Sequence, residues 1–409
     1  MRILHALAQY PSRTGSGIYT INLIDQLTKH QLGPQALLYA RNRDQAVPKL
    51  AIPTYPLVFD RPELPFPLAG MSDVMPYRSS IYHQMSQAAL AAWQGAFAQK
   101  LVEAIDDFQP DLILCHHLWM LASLCLQQRV PVIAIHHGTD LRQARQNPDF
   151  AARYVKGLNR LKGVIALSQR QVPEIAAFTG LPAEQILVGG GAYNDQIFFP
   201  PAKKAPHAGV QFLYAGKLAR AKGVFELVEA FRGLPADAPY RLSVVGNRTT
   251  PEAEQLAQRA ETEERIHFFD VEGQALLSDQ MRAQDIFVLP SYYEGLGMIA
   301  IEALACGMRL VVNDLVNLKE VLGPALWSDA HLSVVPMPDL QNEDEIVPEA
   351  IPTYLDQLQQ ALEEQARRCL ADGGAVNGLT TKIHAFSWSA LGTRIATWLT
   401  AHPALRAIR

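Results

Sequence analysis

The sequence predicts an α/β protein of two Rossmann-like, doubly wound domains facing across a cleft. Three observations predict it. Short Val/Ile/Leu-rich runs alternate with longer amphipathic runs from the first residues onward, the rhythm of βα units. The apolar runs are nearly unalternated, as strands of a parallel sheet covered on both faces are. The rhythm breaks once, at residues 189–210 (GGGAYNDQIFFPPAKKAPHAGV), which are dense in Gly, Pro and Lys and have no period, and then starts again.

Strands of the first series are expected at 2–8, 35–40, 112–117, 132–137, 163–168 and 185–190, with helical patterns at 17–30, 83–107 and 169–178. Residues 52–82 resist this scheme, with six prolines and little periodicity. They read as a long loop on the substrate side, or as one that packs on the first domain. The second series places strands at 211–216, 241–246, 266–270, 285–291 and 309–314. Helices are expected between them at 223–234, 251–262, 274–284 and 298–306. The tail 384–399 is amphipathic and helical. The domains are accordingly drawn at 1–195 and 205–384. Open α/β sheets bind ligands outside the carboxyl ends of their strands, so the loops after the strands should line the cleft.

Bulk properties exclude several classes. The 409 residues exceed what one core usually serves. A net charge of −4 gives no global field to recruit nucleic acid or anionic lipid. Cys115, Cys125, Cys306 and Cys369 are scattered, without CxxC spacing, and read as reduced core residues. No signal peptide opens the chain and no run of 18 apolar residues exists, so a soluble cytoplasmic protein is expected. Residues 142–162 carry six basic side chains against one acid, Asp149. They read as a solvated helix face in preference to a patch facing an anionic membrane, which would make the protein peripheral.

Four constellations carry chemistry. In RTGSGIYTINLIDQL, Gly15 and Gly17 stand between the first strand and a helix, where a backbone can approach an anion; a plain tight turn fits equally. The spacing is not GxGxxG, which disfavours a nicotinamide cofactor. In YAGKLARAKGVFELVEAF, Lys217 and Lys222 flank a loop that opens a helix at Gly223. There they could hold a diphosphate or simply be solvated. PSYYEGLGMIAIEALACG puts Glu294 in a loop and Glu302 just over one turn into an apolar helix, with free N–H groups at Leu296, Gly297 and Met298. Carboxylates for hydroxyls and N–H groups for phosphate suit a nucleotide sugar. Finally, His116 and His117 end one strand and HHGTD, His136 to Asp140, ends another. Structural hydrogen bonding, ligand contact and a metal site all remain open for them, although no HExxH or paired cysteine supports the metal.

Together these stretches resemble the retaining glycosyltransferases of family 4, with the two-domain GT-B fold. PSYYEGLGMIAIEALACGMRLVVND is similar to that family's motif with two glutamates seven residues apart. YAGKLARAKGV resembles its G-R-L-x-x-x-K-G loop, and GSGIYTINLIDQL its N-terminal glycine loop. HHGTD and the late FSW helix also have counterparts, so the likeness spans nearly the whole chain. The resemblance implies that Glu302 accepts from the nucleotide ribose and that Glu294, with the N–H groups of Gly295, Leu296 and Gly297, holds the transferred sugar; Met298 completes that donor-binding helix start. It implies that Lys217 and Lys222 grip the diphosphate, that Gly17 approaches it, and that His116 lies near the reacting centre, with His117 the alternative by one register step. His137 and Asp140 would line the acceptor side, and the helix 385–409 would cross back to the first domain. The family usually has arginine where this chain has Lys217, which keeps the charge but not the fork. A D-x-D motif is absent, so transfer without metal or cofactor is expected, from a nucleotide-sugar donor (a UDP-sugar first) to a small-molecule, glycan or lipid-linked acceptor. A sugar-nucleotide epimerase and a non-catalytic nucleotide-sugar-binding protein are the alternatives.

Overall fold

The computed structural model describes residues 1–12, 14–72, 75–204, 207–341, 345–374, 376 and 378–402. The last residues of the expected helix 385–409 (403–409) therefore lie outside the described residues, as do 73–74 of the proline-rich stretch and 205–206 of the expected linker. Packing divides the chain into two units: Met1–Gly190 with the chain from Trp388 on, and Gly191–Ser387.

The first unit holds β1 (Ile3–Leu7), α1 (Gly15–Lys29), β2 (Gln35–Asn42), β3 (Thr54–Phe59), the two-residue strands β4 (Ala69–Gly70) and β5 (Ser80–Ile81), and α2 (Gln87–Phe108). It continues through β6 (Leu112–His116), α3 (Met120–Cys125), β7 (Val132–Ile135), α4 (Thr139–Gln146), α5 (Pro148–Tyr154), β8 (Gly163–Ala166), α6 (Val172–Thr179) and β9 (Ile186–Val188). Seven strands form one sheet in the order β3-β2-β1-β6-β7-β8-β9, parallel throughout. Its strands lack alternation because both faces are covered. Leu4 and Ala6 point to the side of Trp93, Phe97 and Leu101 on α2, whereas Leu7, Leu37 and Tyr39 meet Ile24 of α1.

The proline-rich stretch is a correction. Residues 54–59 are no loop: they form β3, the sheet's edge strand, in register from Leu37↔Thr54 to Asn42↔Phe59. Tyr55, Leu57 and Phe59 are buried and alternate with half-buried Thr54, Pro56 and Val58. That period of two is masked by prolines, and Pro56 is tolerated because an edge strand has one unpaired side. Leu64, Leu68, Met71 and Tyr82 extend the same core, so the stretch packs on the first unit. The basic stretch is solvated as expected, all six of its basic side chains being exposed, but it is not one helix. It is split at Asn147–Pro148 into α4 and α5 and so presents no single helix face.

The second unit contains β10 (Val210–Ala215), α7 (Val224–Arg232), β11 (Tyr240–Val245), α8 (Pro251–Ala260), β12 (Ile266–Phe269), α9 (Gly273–Ala283), β13 (Ile286–Leu289) and α10 (Met298–Ala305). After these come β14 (Arg309–Asn313), α11 (Val316–Trp327), β15 (Leu332–Val335), the short β16 (Leu340–Gln341) and β17 (Glu345–Ile346), α12 (Ile351–Ala371) and α13 (Leu379–Ile383). The sheet order is β12-β11-β10-β13-β14-β15. Phe212 and Tyr214 face α7 and α12, and Leu213 and Ala215 face α10, so this sheet too is sandwiched. Residues from Gly191 on already belong here, anchored by buried Tyr193 and Phe198. The helix α14 (Trp388–Ala401) returns to the first unit and packs on α1. All four cysteines are buried and free. Among the described residues no helix is long and apolar enough to cross a membrane.

Candidate active site

Both sheets reverse their winding direction at one point: between β1 and β6 in the first unit, and between β10 and β13 in the second. There the loops leaving adjacent strands diverge and leave a crevice at the strands' carboxyl ends. Gly15, Gly17, His116 and His117 lie at or beyond the strand ends at the first point and Lys217, Lys222, Glu294 and Glu302 beyond those at the second, while His136 to Asp140 follow β7, one strand over from β6.

In the second unit, the loop after β10 is pressed onto the loop after β13. Gly223 has φ +64°, and a Cβ there would land on the carbonyl oxygen of Pro290. Only glycine meets both demands. The Tyr292 N–H donates to Ala221 O at 3.3 Å and ties the loops together. This contact sets Lys222, just before Gly223, against Glu294: Nζ lies 2.8 Å from Oε1 and donates to Tyr293 O at 3.4 Å. The two groups expected to bind different parts of one ligand are thus paired with each other. Lys217 is exposed, and its carbonyl accepts from the buried Tyr214 hydroxyl at 2.6 Å, which fixes the loop while the ammonium has no partner among the described residues. Arg220, three residues on, does not replace the expected arginine, because it lies over the Phe225 ring at 4.3 Å and donates to Gln255.

Gly297 caps α10 in the left-handed region, φ +65°, with Leu318 packed beneath it. The N–H groups of Gly295, Leu296, Gly297 and Met298 have no protein partner among the described residues, and Gly295 stands in open space. They form a cluster of donors at the positive end of a helix. Asn317 donates to Glu294 O at 2.9 Å and holds this loop in place, a support the sequence did not suggest. Glu302, half-buried one turn into α10, has no protein partner among the described residues. Burial alone pushes its carboxyl up to about 7.

The first unit is different: its groups are turned on each other. Gly17 sits in the first turn of α1, where a Cβ would come within 2.8 Å of Tyr10 O and Ser12 N, and its N–H donates to the capping Thr14 hydroxyl at 3.0 Å. Its need for glycine is therefore met inside the chain, whereas Gly15 is exposed and unobstructed. His116, at the end of β6, is buried between Thr20 (3.0 Å) and His137 (3.2 Å). Burial first, then the charges that His137, His5 and His117 would carry, holds its pKa well below the usual imidazole range. His137, half-buried, is lowered likewise by burial and His117. His117 has a left-handed φ of 78° and is buried with neither ring nitrogen partnered among the described residues.

Asp140 is fully buried. It accepts from the Leu118 N–H at 2.8 Å and pairs with His136 at 2.5 Å. Burial pushes its carboxyl up, but His136, His117 and the Leu118 N–H outweigh that, and it lies well below the usual carboxylate range. Its oxygens hold the strand-end loops together, a positioning arrangement. Among the described residues no group of three or more His, Cys, Asp and Glu has metal-binding geometry.

Two parallel-sheet units, each with its polar cluster at a switch point, are the architecture of the GT-B glycosyltransferases. Sucrose-phosphate synthase from Thermosynechococcus elongatus superposes with a TM-score of 0.67 at 18% identity over all of both chains. HepE from Anabaena, in complex with UDP and glucose, gives 0.60 at 17% over 98% of this chain and all of that one. UDP-GlcNAc 2-epimerase from Neisseria meningitidis, bound to UDP-GlcNAc, gives 0.60 at 11% with the same coverage. At these identities the likeness is one of fold. In sequence, residues 13–188 match the profile described as Glycosyltransferase Family 4, and residues 195–326 that of Glycosyl transferases group 1. TuaC of Bacillus subtilis, a glycosyltransferase assigned to teichuronic acid biosynthesis, is 25% identical over 79% of this chain and 83% of its own. Mannosylfructose-phosphate synthase of Agrobacterium fabrum is 33% identical over 36% of this chain and 37% of its own length. A D-inositol 3-phosphate glycosyltransferase of Xylanimonas cellulosilytica is 34% identical over 29% and 32%. The chain belongs to the family 4 glycosyltransferases.

Proposed function

We propose that the protein is a retaining enzyme that moves a sugar from a nucleotide-sugar donor, UDP-sugars first, to a small-molecule, glycan or lipid-linked acceptor, without metal or cofactor. The observation that carries this reading is the Lys222–Glu294 pair beside four N–H groups and a carboxylate, Glu302, that have no protein partner among the described residues. When the sugar–phosphate bond breaks, the sugar becomes oxocarbenium-like and the diphosphate gains negative charge. Lys222, Lys217 and the start of α10 oppose that charge. A diphosphate competes with Glu294 for Lys222, and Glu294, once released, accepts from the sugar's hydroxyls. Glu302 takes the ribose hydroxyls. The acceptor oxygen bonds to the anomeric carbon on the face the phosphate leaves, and its proton goes to the departing phosphate oxygen. No protein base is needed, and the configuration is kept. His137 serves the sugar and acceptor side, the buried His116 supports that ring from behind, and Asp140 positions their loops. The free cysteines fit a reducing compartment, the cytoplasm.

A thermal-shift screen of UDP-, GDP- and ADP-sugars identifies the donor, because binding raises the melting temperature by mass action. Names of relatives set the first acceptors to try: D-inositol 3-phosphate and teichuronic-acid-type glycans. With donor and acceptor in hand, Lys222→Ala should lower kcat about 10²–10³-fold, as loss of an oxyanion donor does, and Glu294→Ala should mainly slow transfer. Normal turnover in both variants would sink the assignment. Isomerisation of the donor without any acceptor would favour the epimerase reading, whose fold this chain shares.

A further inference from the structure

The first unit contains a chain of buried polar groups that ends on His137. Gln35 of β2 directs its amide nitrogen at two acceptors on α1, Ile24 O at 2.9 Å and Thr28 Oγ1 at 2.8 Å. A backbone carbonyl accepts only, so the amide orientation is fixed and Oε1 faces Nε2 of His5 at 2.8 Å. His5 therefore carries its proton on Nε2. Burial, partly offset by the Gln35 hydrogen bond, lowers its pKa to about 4, so the ring is neutral near pH 7 and Nδ1 presents a lone pair. That lone pair faces Nε2 of His116 at 3.4 Å. A proton on His116 Nε2 completes that contact and leaves Nδ1 to accept from His137 Nε2 at 3.2 Å; the Thr20 hydroxyl, 3.0 Å from the same nitrogen, gives its one proton to Ser16 O at 2.8 Å and does not compete as a donor.

The same logic passes to the last ring. His137 donates from Nε2, and its Nδ1 lone pair has no protein partner among the described residues. The ring is held by the edge of Tyr19 at 5.2 Å and by His117 at 4.7 Å, so its direction as well as its tautomer is set. We propose that Gln35 and His5 are positioning residues that, through His116, lock His137 as the Nε2–H tautomer and hold its Nδ1 as a hydrogen-bond acceptor for a substrate hydroxyl. The ligand class follows from the sense of the group. A neutral acceptor nitrogen selects a hydroxyl, as on a sugar or polyol, over an anionic oxygen. The role at substrate rests on the transfer reading above; the tautomer relay does not.

The test uses the full-length protein labelled with 15N-histidine, near pH 7.5, with imidazole tautomers read from long-range 15N–1H spectra. Single His→Asn variants assign the signals. His5, His116 and His137 should all be Nε2–H. His5→Phe, which removes the acceptor facing His116, should let His116 and His137 mix tautomers, and His5→Asn, whose amide oxygen can replace Nδ1, should restore them. In turnover, His5→Phe should lower kcat about 10–100-fold, the usual cost of removing a supporting partner, with donor KM unchanged and recovery in His5→Asn. A native His137 protonated on Nδ1 overturns the proposal, even where His5→Phe fails to fold. Unaltered tautomers in a folded His5→Phe protein overturn it too. The expected spectra without transfer from any nucleotide sugar support the relay and overturn the transfer reading instead.

Discussion

Glu302 is a carboxylate held half-buried with no cation beside it among the described residues, and that has a cost that depends on pH. Its folded pKa of about 7 stands above the ordinary 4.5. Below about pH 4.5 the group is protonated in both folded and unfolded chains and contributes nothing. As pH rises from 4.5 to 7 the unfolded chain releases the proton first, so stability falls; above 7 the loss is complete. Glu302→Gln should therefore match the parent's unfolding free energy near pH 4.5 and exceed it at pH 8 by on the order of 2 kcal/mol after discounting for residual solvent contact, read by chemical denaturation. An equal difference at both pH values would show that burial of the charge is not the cause. In the proposed role, ribose hydroxyls donate to the ionised form, so nucleotide binding expels the proton. Calorimetric affinity for the nucleotide should then fall with decreasing pH below 7, by up to about tenfold per pH unit, and Glu302→Gln should flatten that dependence. In that role the carboxylate is costly in the empty protein and gains its hydrogen-bond donors with the ligand.

At the scale of elements, the placement of Lys222 against Glu294 depends on how closely two βα loops pack. Gly223→Ala introduces a left-handed alanine and a clash with a carbonyl oxygen that the sheet holds in place. Asn313 donates to that same Pro290 oxygen at 2.8 Å and Tyr354 holds Asn313, so the obstacle cannot simply move away. The cost should be at least about 2 kcal/mol, seen in chemical denaturation, and activity should fall further than Lys222→Arg lowers it. Full activity in Gly223→Ala would mean that the loops need not touch. This pairing of loops was legible only in part. Strand ends and glycines marked which loops matter, because unalternated apolar runs and punctuation are local signals. That Lys222 would meet Glu294, 72 residues away, is a property of strand order, which no local pattern encodes. β3 was hidden because its period of two is broken by prolines that only an edge tolerates. α11, β15 and α12 lie beyond the last strand that the apolar runs mark, at 309–314. α12 is an amphipathic helix whose buried face, Tyr354, Leu358 and Leu362, answers a sheet formed earlier in the chain. His5 and Gln35 are isolated polar residues in apolar runs and carry no local signal; their burial and their mutual hydrogen bond appear only when β1 and β2 pair.

At the scale of the molecule, the last helix belongs to the first unit although the whole second unit lies between them in sequence. α14 buries Trp388, Leu391, Ile395 and Leu399 there, each 6% exposed or less. Trp388 meets Tyr19 edge-on at 4.9 Å, and Arg394 donates to Gly189 O at 2.9 Å. Four such side chains contribute about 1.5–3 kcal/mol apiece, comparable with the 5–15 kcal/mol margin of a typical domain. The first unit is thus closed by the chain's far end, and α1, which carries Thr20 and the glycine loop, is the helix that α14 covers. A defect in α14 should accordingly be felt at the histidine chain before it is felt at Lys222 and Glu294. Leu391→Ala should cost about 2–5 kcal/mol. Hydrogen exchange read by mass spectrometry should show protection falling in α1, β1 and β2 while β10, β13 and α10 keep theirs. Nucleotide binding, placed by the proposal in the second unit, should survive the substitution even as transfer declines. Equal loss of protection in both units would show instead that they unfold together, and that the returning helix stabilises the molecule as one cooperative body.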